Sequence, residues 1–543
     1  MEKEPKTERT ALTKLNNISK WLLMFAAIVF AACSSEEVGI TVADDDDCYL
    51  TLSLNNAAIS RAASDHPNSG ENGDGSECGR NFENDIDNLC IFIYEDAGGK
   101  GVNGTASTPV KAKYYFGDLS LSLPAGRSYR TNPMKISGYK PTANDRIIVF
   151  ANTGDVTADF STLEDFQSTS KAWQKSILWN DNADPLKCNR FVMTSSKDDA
   201  TYGKMNVTGI TGTVNDPFNA EIEIQRTMAR VDIMFKETNK ATAADGPLTY
   251  VVDTGNSNSS GTFKLGMVRI FNMPSESTLP LKRVSSSADA NGLNTATILG
   301  SEDTLPYVLT AWTCDKANEP YETATNFAAS KGVGANGIAT YLPDGTTDYN
   351  VHAYPADNRV FSVSETDFED YKYCYTVGYC TENTMPIADE KNEYMTGLLL
   401  RGTFVPTTVY KCSSGALTAG TYTEGNDFWH YVALETGDES YFFSSEDDIN
   451  AYINSRPDKA YSKVKYTHGQ CYYYIWIKHT APYGNYTTGN TPMEYAIVRN
   501  NIYRIGIDKV TAIGSHVPEP KNTVSSKIYV RNWRFRKQEE IVL

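Results

Sequence analysis

The sequence predicts an all-β chain, and three observations carry that expectation. Tyr alone numbers 33 and aromatics reach 11%, and such side chains favour the half-buried pleat of a strand. Gly, Thr, Ser and Asn are abundant, which supplies tight connections between strands. The long Leu/Ala/Glu/Lys pattern of helical proteins is missing, while short apolar runs and period-two alternation recur.

With 543 residues, two or more domains are expected. The balance of 50 Lys+Arg against 67 Asp+Glu, a net charge of -17, argues against nucleic acid as a partner, which calls for a basic patch. It argues equally against an anionic membrane surface. The six His fall at His66, His352, His430, His468, His479 and His516, none of them in HExxH or zinc spacing. No GxSxG or GxxxxGK[ST] occurs. The expectation is a protein that is not an enzyme, with no catalytic residue, no metal site and no cofactor.

The elements follow in chain order. Trp21–Ala32 reads WLLMFAAIVFAA behind Lys14 and Lys20. It is too short to span a bilayer, which takes roughly 20 residues, and fits a secretory h-region. Phe30-Ala-Ala-Cys33 resembles a lipobox, in which the chain is cut before Cys33 and its thiol is lipidated, as with palmitate. Residues 1–32 are then a signal. The acidic SSEEVGITVADDDD suits a tether. In CYLTLSLN, Leu50, Leu52 and Leu54 alternate with Tyr49, Thr51 and Ser53, a half-buried strand. A Gly/Asn/Ser/Asp-rich loop follows. Between the strand and that loop, AAISRAAS carries Arg61 and Ala62.

Strands are predicted at Ile86–Tyr94, Arg146–Asn152, Phe191–Ser195 and Asn206–Val214. A helix is predicted over Leu163–Ile177, capped by Ser161 or Thr162. Near Ile222 the apolar parity flips, which implies a bulge or a break between strands. The domain boundary is placed near residue 220, after NDPFN. The second half brings strands at Phe263–Asn272, Lys372–Tyr379, Gly397–Val405, Tyr431–Glu435, Gln470–Lys478 and Asn501–Lys509. A helix at Ser445–Ile453 has Ser445 as cap and acids in its first turn. Leu281–Asn358 reads as a long insertion. The ten Cys include no CxxC, and mostly free, buried thiols are expected.

An ordered run of segments resembles the fimbrillins of Bacteroidales. The run is Arg61-Ala62-Ala63, Ile86-Asp-Asn-Leu…Tyr94 with Gly98, Phe150-Ala-Asn152, Phe191-Val-Met193, IQRTMARVDI (Ile224–Ile233), Phe271-Asn-Met-Pro274, Tyr379-Cys-Thr-Glu-Asn383, Phe404-Val-Pro406 and Glu494–Gly514. The block Val498-Arg-Asn500…Tyr503 and Trp533 favour the Mfa-type branch. The resemblance implies two transthyretin-like β-sandwich domains, here 62–220 and 221–543 with the insertion at about 281–358. It implies a lipoprotein precursor in the outer membrane, anchored through Cys33. An Arg-specific protease then cuts at Arg61–Ala62 and removes residues 33–61 with Leu50, Leu52 and Leu54. The vacated groove takes a neighbour's C-terminal strand, within about 528–543. Trp533, Phe535, Ile541 and Leu543 share one parity and are its candidate anchors. The chain would then be a stalk subunit of a surface fimbria, built from identical subunits and other fimbrial subunits. It would meet host or bacterial surface receptors in adhesion and biofilm formation and contribute to virulence. The alternative is a fimbrial tip, an anchor or a lipid-anchored adhesin. A β-sandwich glycan-active enzyme would need two carboxylates about 5–9.5 Å apart, a spacing that no sequence fixes.

Overall fold

The computed structural model describes residues 47–56, 76–78, 83, 85–95, 108–119, 128–167, 172–174, 191–196, 202–235, 248–252, 254–271, 276–278, 282–284, 296–298, 307–308, 360–362, 373–383, 395–435, 439–479, 495–517 and 525–534. Its contacts fall into two units, Met1–Cys48 with Lys135–Lys140, and Tyr49–Met134 with Pro141–Leu543. In the first unit, Asp47 pairs with Lys135 at 2.7 Å and Cys48 Sγ donates to the Tyr139 carbonyl. The larger unit holds the remaining architecture, which is all-β as expected.

One sheet runs through its N-terminal half, in the order Val110–Phe116, Leu89–Glu95, Asp145–Ala151, Met193–Ser195, Phe218–Arg226, Cys48–Asn56, Ser128–Arg130. Leu89–Glu95 is buried at every position but the last, as a continuous apolar run in a central strand should be. Beneath it, Phe92 meets Phe150, Phe160 and Phe166 edge-on, each with centroids 5.3 Å apart, the arrangement that aromatic quadrupoles favour.

Of the expected helix over Leu163–Ile177, Leu163–Gln167 is helical among the described residues, and Ala172–Gln174 is a strand. Leu163 and Phe166 bury that turn, and Ala172–Gln174 pairs with Glu276–Thr278 instead of continuing the helix. Its start is held by Asp165, whose carboxylate accepts from the Ser161 and Thr162 amides at 2.6 and 3.0 Å. The strand expected at Asn206–Val214 shrinks to Met205–Asn206. Gly209 and Gly212 take φ of 73° and 74°, and Asp216 accepts from the Thr211 amide at 2.8 Å, so this stretch turns instead.

The parity flip near Ile222 is a change of sheet. Phe218–Arg226 belongs to the first sheet and Met228–Phe235 to a second, in the order Val360–Ser362, Tyr373–Thr381, Met228–Phe235, Asn501–Lys509, Ser525–Arg534, Ser76–Cys78. Thr227 spans the switch, its amide and hydroxyl both donating to the Val192 carbonyl at 3.0 and 3.1 Å. A third sheet, Leu248–Val252, Gly261–Phe271, Gly397–Pro406 and Gln470–Trp476, packs against the second. Val231, Ile233 and Ile505 from one side meet Phe263, Leu400 and Tyr473 from the other in a shared core. At Gly402 the strands approach so closely that a Cβ would lie 2.2 Å from the Lys264 carbonyl oxygen.

Between Gly397–Pro406 and Gln470–Trp476 the chain builds a fourth sheet of five strands: Ala416–Gly420, Val409–Ser413, Ser440–Phe443, Phe428–Ala433, Tyr461–Tyr466. The helix Glu446–Asn454 lies on it, burying Ile449 and Tyr452. Ser445 caps that helix, accepting from the Asp448 amide at 3.1 Å, with three acids in the first turn. In the expected insertion, Lys282–Val284, Ala296–Ile298 and Tyr307–Val308 are short described strands, and most of the remainder lies outside the described residues. Among the described residues, Cys48, Cys90, Cys412 and Cys471 carry free thiols.

Candidate functional site

The opening strand Cys48–Asn56 lies inside its sheet. On one side it runs parallel to Phe218–Arg226, with Leu50 opposite Phe218, Leu52 opposite Ala220 and Leu54 opposite Ile222. On the other side it runs antiparallel to Ser128–Arg130, with Leu54 opposite Tyr129. Leu50, Leu52 and Leu54 are fully buried, and so are their partners. The backbone is tied on both flanks. The Tyr49 amide donates to the Gly212 carbonyl and the Thr131 amide to the Leu52 carbonyl, while the Leu52 amide donates to Thr131 Oγ1 at 2.9 Å.

Burying three Leu contributes roughly 5–9 kcal/mol as an upper bound, at about 1.5–3 kcal/mol each. A sheet without this strand would have an apolar trough one strand wide. Unpaired backbone groups would line both of its edges, the chemistry that recruits another strand.

Just beyond the end of that trough, a buried polar joint connects the first and second sheets. Arg226 closes the strand that flanks the trough, and its Nε donates to the Glu83 carbonyl at 2.9 Å. Its Nη1 donates to Asn500 Oδ1 at 3.1 Å, and Asn500 itself takes φ of 58°. Burial pulls Arg226 down to about 10, against the opposing pull of Glu83. Arg230 forks onto Asp232 at 2.9 Å and Glu83 at 3.2 Å, and Arg504 Nε reaches Asp232 at 3.4 Å. The Tyr379 hydroxyl donates to Glu83 Oε1. Arg499 donates twice to Glu382 Oε2, at 2.8 and 2.9 Å. All of these side chains are nearly or wholly buried, and charges in that setting are kept only when paired. The segments IQRTMARVDI, Tyr379–Asn383 and Val498–Asn501 therefore converge in one place. Sequence reasoning quoted those three segments but passed over Glu83, whose surroundings NFENDIDN carry no signal of burial.

The terminal strand Ser525–Arg534 pairs along Asn501–Lys509, from Ser525 opposite Lys509 to Asn532 opposite Asn501. Trp533 thus lies in a strand of its own sheet. On its other edge it faces Glu77, in a short parallel pairing of Ser76–Cys78 with Asn532–Arg534. Cys33, Arg61, Ala62, Phe535, Ile541 and Leu543 lie outside the described residues.

Residues 464–539 match the family model described as major fimbrial subunit protein type IV, fimbrillin, C-terminal. That span takes in the strands Gln470–Trp476, Asn501–Lys509 and Ser525–Arg534. Among solved structures, the chain is similar to the tip fimbrial protein Mfa3 of Porphyromonas gingivalis with C-terminal truncation. The identity is 12% over 90% of this chain and 100% of that one, with a TM-score of 0.31. It is also similar to a fimbrilin (fimA) of P. gingivalis W83, at 15% identity over 91% of this chain and 99% of that one, with a TM-score of 0.35. No curated protein sequence matches the chain.

Proposed function

We propose, from the match of residues 464–539 to the fimbrillin C-terminal family model, that the chain is a structural subunit of a cell-surface fimbria. The precursor is exported as a lipoprotein, anchored in the outer membrane through Cys33. An Arg-specific protease cuts after Arg61, so the new chain begins at Ala62 and the strand bearing Leu50, Leu52 and Leu54 leaves. A strand from the next subunit takes its place, and repetition of that step makes the fibre. The assembled fimbria then meets host or bacterial surfaces in adhesion and biofilm formation. The chain does this by packing and strand pairing, without catalysis.

The observation that carries this reading is the seat of the opening strand. It is the first described element of the chain, yet it lies between two partner strands with three Leu fully buried. Its loss leaves a vacancy fitted to one strand with alternating apolar side chains. The replacement is assigned to the tail. Trp533 already sits in a strand paired within its own sheet, so Arg536–Leu543, with Ile541 and Leu543 on one parity, is the better source. Two such anchors contribute about 3–6 kcal/mol before ordering costs, and backbone bonds add roughly 0.5–1.5 kcal/mol each.

The test is proteolysis of the purified chain by an Arg-specific protease, followed by N-terminal sequencing and electron microscopy. A start at Ala62 together with fibres is expected. A different start overturns the assignment of Arg61, and cleaved chain that stays dispersed overturns the polymer.

A further inference from the structure

The five-stranded sheet ends on two strands that are finished differently. Tyr461–Tyr466 carries Lys463 and Lys465, held by Glu446 and Asp427 at 2.7 Å each, and charge on an edge keeps other strands away. Ala416–Gly420 lies at the opposite edge and reads ALTAG. It has no charge, no Pro and, in its pairing with Val409–Ser413, no bulge. Ala416, Thr418, Ala419 and Gly420 are exposed.

The direction of its unused backbone groups follows from the hairpin. Ser414 and Gly415 take φ of 50° and 83°, the left-handed pair that a two-residue turn needs. Such a turn closes with a bond between its flanking residues, here Ser413 and Ala416, and hydrogen-bonded pairs then alternate along the ladder. Cys412 and Tyr410 fall at the alternate positions, and their own bonds agree. The Cys412 amide donates to Asp448 Oδ1 at 2.9 Å, and the Tyr410 carbonyl accepts from the Ser444 amide at 3.2 Å. Leu417 and Ala419, which stand opposite them, therefore turn N–H and C=O outward, and among the described residues nothing receives those groups.

A row of this kind fits a copy of itself. With Thr418 set opposite the partner's Thr418, Leu417 meets the partner's Ala419 on both sides of a two-fold axis, and four backbone bonds use every outward group. The chain carries a net charge of -17, but this row is neutral. Lys411, beside Thr418, stays three strand spacings from its counterpart, roughly 14 Å, beyond the screening length of about 8 Å at physiological salt. Five residues of strand cover far less than the roughly 1,000 Å² of a stable pair, so single chains part readily. In a fibre the row recurs with every subunit, and linked contacts strengthen the hold by roughly 10²–10⁴-fold.

We propose that Ala416–Gly420 is a docking edge for the same strand of a second copy of this chain, antiparallel about Thr418, and that it joins fibres side by side. The joining of fibres rests on the fimbrial reading above; the strand pairing does not.

The pairing is tested on the uncleaved full chain. Thr418→Cys places two thiols on a directly opposed pair with Cα atoms about 4.5 Å apart, within disulfide reach. Ala416→Cys, exposed on the same strand, lies roughly 13 Å from its counterpart and out of reach. With oxidised glutathione as the electron acceptor, Thr418→Cys should form covalent dimers about tenfold faster than Ala416→Cys or wild type. Adding Ala419→Pro deletes an N–H outside the hairpin ladder, and with it two of the four bonds, and should slow that dimerisation about tenfold. Equal rates for Thr418→Cys and Ala416→Cys overturn the proposal. Fibres of the chain cut by the Arg-specific protease are then compared by electron microscopy. Wild type should bundle, and Thr418→Lys should give single fibres of the same length. Single wild-type fibres, or bundles unchanged by Thr418→Lys, overturn the joining of fibres. A wild type that gives no fibres overturns the assembly reading instead, and cross-linking of the uncleaved chain still decides the strand pairing.

Discussion

His430 lies 2.8 Å through Nε2 from Ser440 Oγ, with the rings of Phe442 and Tyr466 at centroid distances of 4.7 and 6.4 Å. Burial pulls its imidazole down to about 4, because a charged ring would lose its water there. An unfolded chain protonates the same ring near pH 6.5. Since the folded value is the lower one, the stability that neutral His430 contributes is present above about pH 6.5 and lost as pH falls toward 4. The loss is on the order of 3 kcal/mol. Urea midpoints at pH 7.5 and 4.5 should therefore diverge less in His430→Gln than in wild type, and equal divergence would reject the assignment. At this scale the sequence was legible only where a residue acts on its near neighbours. Ser445 announced itself as a cap because the amide it serves is three residues on. Glu83 did not, because its partners stand 143, 147 and 296 residues away, and no local pattern encodes such pairings.

Among the elements, the opening strand was the most readable. Its alternation of Leu with polar residues marked one buried face, and the three Leu are fully buried. What alternation left unstated was the identity of the flanking strands, Phe218–Arg226 and Ser128–Arg130, which come from distant sequence. The helix after Thr162 was overread because its acids and cap promised a start, while Ala172–Gln174 is taken up as a strand paired with the distant Glu276–Thr278. The five-stranded sheet over Val409–Tyr466 was underread, since its strands Val409–Ser413 and Ala416–Gly420 are short and mostly unburied. The opening strand also carries a prediction that separates precursor from polymer. Leu52→Ala leaves a cavity under the sheet and should cost the uncleaved chain about 2–5 kcal/mol, read as a lowered urea midpoint. If the strand departs on cleavage, fibres grown from wild type and Leu52→Ala should resist urea equally. A fibre weakened by Leu52→Ala would show that the strand stays.

For the molecule as a whole, composition sufficed for the β class, and the parity flip near Ile222 marked where the chain passes from one sheet to the next at Thr227. Which strand closes the C-terminal sandwich is what bears on assembly. Ser525–Arg534 pairs with Asn501–Lys509 over its whole length up to Asn532, and Tyr503 and Ile505 of that partner strand lie in the shared core. Among the described residues, the ladder pairs of this terminal strand end at Arg534. Deleting Arg536–Leu543 should change the thermal midpoint little, within the roughly 0.5 kcal/mol of a substitution away from structural features. Cut after Arg61, the shortened chain should stay monomeric by light scattering, since a subunit with an open trough but no strand to give can accept and not donate. It should also cap fibres of wild type in mixtures, shortening them in proportion to its share. Normal fibre growth by the truncated chain would move the donor back to the strand containing Trp533, and with it the expectation that Trp533→Ala abolishes polymerisation.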